Sequence, residues 1–260
     1  IAGVVPVSNY VSKLNFQWHD CLTPVGPDFT AIERAVWECA CAGAKTIWVV
    51  CEDDFQPLIK KQIGEWVYDP INYDKAKFTK YPNDNRKKVP IFYVPVHPRD
   101  RARRSSYGWS ILHGALISFI CCSRISKWTL PTKYYISFPF GVYDPACVLR
   151  HRDKIRTNER LFLSYKNKTV SDNHHLGFTL TPNQWKNIVY QLKKNFKDND
   201  DLTLAKIFNC GNIDKDERLE IDWYYDLGTW ESWVKGINNN SLDRPLVQFQ
   251  RKNYGRISFE

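Results

Sequence analysis

Four short runs dense in β-branched and aromatic residues punctuate the first half of the chain: GVVPV (Gly3–Val7), TIWVVC (Thr46–Cys51), IFYVPV (Ile91–Val96) and KYYISF (Lys133–Phe138). Runs of this kind, with little alternation between apolar and polar residues, suit strands buried on both faces. Strands buried on both faces need cover, and the intervening sequence supplies it. TAIERAVWECACAGA opens with Thr30 and has Glu33 three residues on, a capping box. Ile32, Ala35, Val36 and Cys39 then recur at helical spacing, and Gly43 ends the pattern. GWSILHGALISFICC (Gly108–Cys122) reads as a second, largely buried helix. Repetition of strand, helix and strand predicts an α/β fold with a mostly parallel, doubly wound sheet and helices on both faces. In such sheets ligands bind beyond the carboxyl ends of the strands.

The rest of the chain fits this frame as a single domain with a mixed C-terminal part. A polar insertion is expected at about 52–88, where Asp69-Pro70 and Pro82-Asn83 are turn signals. TPNQWKNIVYQLKKN has Thr181 as cap, Pro182 at the first helical position and Gln184 closing the box; DNDDLTLAKIFNCG reads as another helix ending at Gly211. The α/β domain is thus expected over 1–240, followed by a polar tail over 241–260.

Charge narrows the partners. With 37 basic and 28 acidic residues the net charge is +9, which favours an anionic partner, phosphorylated small molecule or nucleic acid, or a basic surface kept for solubility. The basic residues are spread along the chain rather than concentrated in a stripe, so nucleic acid is the less favoured of the two. None of the eight cysteines forms a C-x-x-C pair, and they read as reduced thiols of an intracellular, cytoplasmic protein. No apolar run approaches the roughly 20 residues of a membrane span, so no membrane partner is expected. The sequence leaves the oligomeric state open.

The stretch IDWYYDLGTWESWVKGI (Ile221–Ile237) brings Asp226 to the end of an aromatic strand and starts a helix at once, with Thr229 in the capping position. It resembles the late motif of the sugar-phosphate nucleotidyltransferases. Other segments follow that family's layout in order: V-V-P-V-S-N-Y-V-S-K-L (Val4–Leu14) where the family has its Gly-rich loop, then L-T-P-V-G (Leu22–Gly26), Gly43-Ala44-Lys45, Gly108 to Ala115 facing the nucleobase, and GFTLTPNQW (Gly177–Trp185). The resemblance implies a doubly wound nucleotidyltransferase-like fold and a nucleotide or sugar-phosphate ligand. It further implies a magnesium ion held by Asp226, with Lys13 and Asp226 as catalytic residues and Ser8, Asn9 and Ser12 near phosphate.

The chain departs from the family where the chemistry is done. Asn9 and Val11 stand for loop glycines, Lys13 for the loop arginine, and His19-Asp20 for a proline-lysine pair, which puts an anion where phosphate charge should be neutralised. The first metal aspartate is expected after KYYISF, yet Pro139 or Phe140 occupies its place, and Asp144 comes a few residues late as the other candidate metal ligand. The expectation is therefore a divergent protein, impaired in catalysis, that binds a nucleotide or nucleotide sugar. A non-catalytic interaction module, a nucleotide-sugar-dependent glycosyltransferase and a basic nucleic-acid binder are the alternatives.

Outside the resemblance, Arg101, Arg103 and Arg104 lead into the helix beginning near Gly108, where guanidinium forks and free backbone N–H groups suit phosphate. Glu52, Asp53 and Asp54 follow a strand's carboxyl end, as a ligand site or as turn chemistry. His174 and His175, adjacent on an extended segment, are expected to face apart and not to share a metal ion. Trp223, Tyr224, Tyr225, Trp230 and Trp233 are expected to pack the sheet against the helix that follows.

Overall fold

The computed structural model describes residues 1–7, 14, 16–76, 87–96, 106–125, 130–195, 204, 217–240 and 242–245. The apolar runs form strands as the sequence predicts: β1 (Ala2–Pro6), β4 (Thr46–Glu52), β6 (Lys88–Val96) and β7 (Tyr134–Ile136) lie side by side and parallel, in the order β6-β4-β1-β7. Every residue of β1 is buried, which is why its sequence shows no alternation. A small antiparallel ladder, β2 (Pro24–Gly26) with β3 (Phe29–Thr30), precedes the first helix. The sheet extends to eight strands, with β5 (Trp66–Tyr68) at one edge and β10 (Phe178–Leu180), β9 (Leu161–Ser164) and β11 (Glu217–Glu220) on the other side. Strands β5 and β10 run against the rest, so the sheet is mostly parallel but mixed in its C-terminal part.

Helix α1 (Ala31–Cys41) packs on β1, and all its residues are buried, Glu33, Arg34 and Glu38 included. The expected capping box is present, with the Thr30 N–H donating to Glu33 Oε2 at 3.0 Å, and Gly43 turns the chain at φ +88°. The stretch expected as a polar insertion contributes α2 (Gln56–Ile63), the edge strand β5 and α3 (Pro70–Ala76). Ile59, Ile63 and Val67 are its anchors: they are few, but each is fully buried, which is enough to order a segment whose surface is polar. Helix α4 (Tyr107–Ile125) lies against β1 and β4, and Gly114 permits the approach, because a Cβ there would press on Val4 and Val50. By length and composition α4 is apolar enough to cross a membrane; here it serves as a core helix on the sheet.

After β7 come the two-residue strand β8 (Gly141–Val142), then α5 (Ala146–Arg150) and α6 (Arg152–Thr157). Helix α7 (Pro182–Asn195) starts with the expected box, Gln184 Oε1 accepting from the Thr181 N–H at 2.8 Å. Strand β12 (Tyr225–Asp226) pairs antiparallel with β8, and Thr229 caps α8 (Trp230–Asn239) by accepting the Ser232 N–H. The helix expected to end at Gly211 lies outside the described residues except for Leu204. The described cysteines are all free thiols and all but Cys121 are buried; burial raises Cys21, Cys39 and Cys41 well above an ordinary thiol.

Candidate functional site

The carboxyl ends of β1, β4, β6 and β7 share one edge of the sheet, and Asp226 and His175 are brought there. Strand β8 follows β7 across that edge, and its partner β12 sets Asp226 opposite Gly141. Strand β10 begins at Phe178, opposite Ile136 at the end of β7, so the residues just before it reach the same edge. His175 is among them. Its Nδ1 lies 2.6 Å from Asp226 Oδ2, which also accepts from the Tyr224 hydroxyl at 3.0 Å; Asp226 Oδ1 accepts the Gly228 N–H at 2.6 Å. The Tyr224 hydroxyl in turn accepts the His175 N–H. The loop and ladder touch because position 141 is glycine: a Cβ there would overlap the His175 carbonyl oxygen.

Electrostatics follow from these contacts. Burial alone pushes the Asp226 carboxyl up, but the His175 hydrogen bond and charge, the Gly228 amide and the Tyr224 hydroxyl together outweigh it, so the carboxyl is held below its ordinary value. The side chain nonetheless keeps about a third of its surface exposed (34%), against 13% for His175. The imidazole stands in an aromatic wall, with ring centroids of Tyr107, Phe138 and Phe140 at 5.5, 5.7 and 6.4 Å. Tyr107 opens α4, so the start of that helix is beside the corner. Next to it, Ser106 is buried, and its hydroxyl has no hydrogen-bond partner among the described residues.

A buried network behind the corner fixes its frame. Glu38 of α1 accepts from the hydroxyls of Tyr135, Tyr143 and Ser137 and from Arg34 Nη1, at 2.5–2.7 Å. Arg34 also donates to the Phe138 carbonyl, and the Tyr143 hydroxyl accepts the Gly177 N–H at 3.1 Å. One carboxylate thus ties together β7, the segment leading into β8, and the loop that carries His175.

Of the residues singled out by sequence, Asp226 stands at the carboxyl edge and Gly108 in the buried first turn of α4. Ser8, Asn9, Ser12, Lys13, Arg101, Arg103 and Arg104 lie outside the described residues. Asp144 is not brought to Asp226. Its Oδ1 accepts the Ala146 N–H, and it lines a surface cavity of about 480 Å³ with Trp223, Asn239, Asn240, Leu242 and Asp243. His19 caps a 3₁₀ turn through Nδ1, and burial lowers its imidazole value. Trp230 is half-exposed rather than packed under the sheet, because it opens α8 at the surface, against Phe16 and Trp233. Tyr225 does pack inward, onto Gly236. His174 and His175 do part company, His174 going to the Asp172 carbonyl and the Tyr224 ring. Sequence reading overlooked His175, Tyr224 and Ser106 as site residues, since nothing local marks a histidine whose partner is 51 positions away.

The donor set fits magnesium poorly. That ion takes near-octahedral oxygen ligands, with one or two carboxylates plus substrate phosphates and water. Asp226 offers one carboxylate whose two oxygens already accept from three groups. No group of three or more His, Cys, Asp or Glu is gathered for a metal among the described residues.

No protein-family profile matches the sequence, and no curated protein matches it. Solved structures do match in fold. A UDP-glucose pyrophosphorylase complexed with UDP-glucose superposes with a TM-score of 0.58 at 13% identity, over 92% of this chain and 97% of that one. The UTP-bound UGPase of Acinetobacter baumannii gives 0.56 at 12%, over 95% of each chain. The inositol-1-phosphate CTP transferase of T. maritima gives 0.53 at 9%, over 93% and 98%. At these identities the likeness establishes the fold.

Proposed function

On the sugar-phosphate nucleotidyltransferase fold that this chain carries, we propose that it binds a nucleotide or nucleotide sugar at the carboxyl edge of its sheet and is impaired in nucleotidyl transfer. The observation that carries this reading is the composition of that edge. Asp226 and the start of a long helix meet there, beside a buried Ser106 hydroxyl with no protein partner among the described residues, while the segment after β7 presents buried Phe138 and Phe140 instead of a second carboxylate. A helix N-terminus and an unsatisfied buried hydroxyl suit a polar or anionic ligand. Ser8, Asn9, Ser12, Lys13, Arg101, Arg103 and Arg104 are the proposed phosphate contacts, and Gly108 allows a base to approach. Matching folds bind UDP-glucose and UTP, which supports the ligand class.

Transfer of a nucleotidyl group depends on positioning and on neutralising the charge that builds on the phosphates. Losing one electrostatic stabiliser costs about 2.7–4 kcal/mol. This chain has Lys13 and Asp226 where the family has several such groups, so turnover falls to background while binding persists.

A thermal-shift series with UTP, CTP and UDP-glucose, run beside a pyrophosphate-release assay, tests both halves. A ligand at one hundred times its Kd adds about 2.7 kcal/mol, which is roughly 5–10 °C for a chain of this size. Such a rise with background pyrophosphate release is expected. No shift with any nucleotide would favour an interaction module, and steep salt-dependent retention on DNA would favour a nucleic-acid binder.

A further inference from the structure

We infer that this chain dispenses with a divalent cation at the Asp226 corner: His175 is the resident partner of that carboxylate, and a diphosphate-bearing ligand binds at this edge without magnesium. The ligand half of this inference rests on the binding reading above; the assignment of His175 does not.

Three features of the structure carry it. The first is occupancy of the carboxylate. Asp226 Oδ2 faces His175 Nδ1 at 2.6 Å and the Tyr224 hydroxyl at 3.0 Å, and Oδ1 faces the Gly228 amide at 2.6 Å. A carboxylate has about four lone-pair sites. A magnesium ion at roughly 2.0–2.1 Å from either oxygen would have to displace these donors or squeeze beside them.

The second is that no companion carboxylate stands at the corner among the described residues. A metal held by two carboxylates needs their oxygens within a few ångströms of each other. Asp144 is three residues beyond Gly141, the ladder partner of Asp226, which at about 3.3 Å per residue is roughly 10 Å away along the chain. Its carboxylate is also turned to the Ala146 amide. The residues between, Phe138 to Tyr143, are buried and mostly aromatic or apolar.

The third is the wall around the imidazole. Tyr107, Phe138 and Phe140 surround His175 with ring faces and edges. A hydrated magnesium ion keeps several waters, and of the three side chains in this wall only Tyr107 carries an oxygen that could accept from them. An imidazole hydrogen-bonded to a carboxylate suits it, since the ring presents an apolar body to its neighbours and one polar nitrogen to Asp226. The arrangement also fastens two distant segments, the loop before β10 and strand β12.

Paramagnetic relaxation provides the test. The full chain, labelled with ¹⁵N, is titrated with one equivalent of Mn²⁺ as a magnesium surrogate, alone and with UDP-glucose. The Gly228 and His175 amides, both adjacent to the corner, are expected to keep their intensity in both samples. Selective loss of those two signals, with recovery in Asp226→Asn, would overturn the inference. In parallel, UDP-glucose affinity is measured by calorimetry in magnesium and in EDTA. Agreement within about twofold supports the inference, and weakening by roughly tenfold or more in EDTA overturns it. Absence of UDP-glucose binding in either buffer would count against the binding reading alone, and the Mn²⁺ titration would still decide the role of His175.

Discussion

Glu38 in α1 and Asp226 at the end of β12 are built from the same parts. Each is a carboxylate beside a nitrogenous side chain that also accepts from tyrosine, Glu38 from two hydroxyls and Asp226 from one. Glu38 and Arg34 are fully buried, and the pair is walled by the Tyr135, Tyr143 and Ser137 hydroxyls and the Phe138 carbonyl. Asp226 keeps about a third of its side chain in solvent (34%). In the interior such a cluster specifies geometry, because any lost partner strands a desolvated charge. At the edge it leaves part of the carboxylate exposed. The surroundings, and not the residue types, separate scaffold from site. The two are coupled through Tyr143, whose hydroxyl donates to Glu38 and accepts from Gly177, two residues from His175.

Breaking the buried member should have the largest effect. Glu38→Ala leaves Arg34 without its counter-charge and is expected to cost about 3–5 kcal/mol in chemical denaturation, the range for removing one partner of a buried pair. Replacing both residues together, Arg34→Met with Glu38→Met, should recover much of the loss, since burial then penalises no charge. A double variant as unstable as Glu38→Ala would mean that the tyrosine contacts, and not the ion pair, dominate.

Gly141→Ala tests the link between the two regions. Its Cβ would overlap the His175 carbonyl, so the loop or the β8 ladder must shift, at about 1–3 kcal/mol. The shift should separate His175 from Asp226, visible as a change in the His175 ring resonances, while those of Tyr135 beside Glu38 stay in place.

Asp226→Asn should have the smallest effect on stability, about 1 kcal/mol or less near neutral pH, and the clearest pH signature. The folded-state carboxyl is depressed, so the folded protein binds fewer protons there than the unfolded chain does. Its contribution is complete above the unfolded carboxylate value of about 3.9 and is lost as pH falls through the lower folded value. Below about pH 5 the difference in Tm between wild type and Asp226→Asn should therefore shrink and vanish in strong acid. A difference that went on growing on acidification below about pH 4 would contradict the assigned hydrogen bonds.

Much of the frame was legible in the chain. The unbroken apolar runs became the central parallel strands, and Thr30–Glu33, Thr181–Gln184 and Thr229 marked helix starts that the structure reproduces. Each signal is local: burial on both faces removes alternation in β1, β4 and β7, while β6 keeps an exposed face at Phe92, and a cap is satisfied within three residues. The stretch at about 52–88 was harder, because its few buried apolar residues are scattered among polar ones and only pairing with β6 reveals an edge strand.

The site was legible only in part. Asp226 could be assigned to the mouth of the sheet because its strand, turn and cap resemble a family motif whose aspartate stands there. His175 looked like half of an ordinary histidine pair, and nothing local singles out Arg34 or Glu38. Their roles arise where segments far apart in the chain close upon one another, at Gly141 against His175 and Tyr143 against Glu38. Sequence by itself determined the four central parallel strands and the capped helix starts, since backbone preference and burial pattern act over a few residues. Tertiary structure alone decided that a histidine meets Asp226, and that one buried carboxylate holds the surrounding frame, because hydrogen-bond partners and dielectric surroundings are set by folded distance rather than by spacing along the chain.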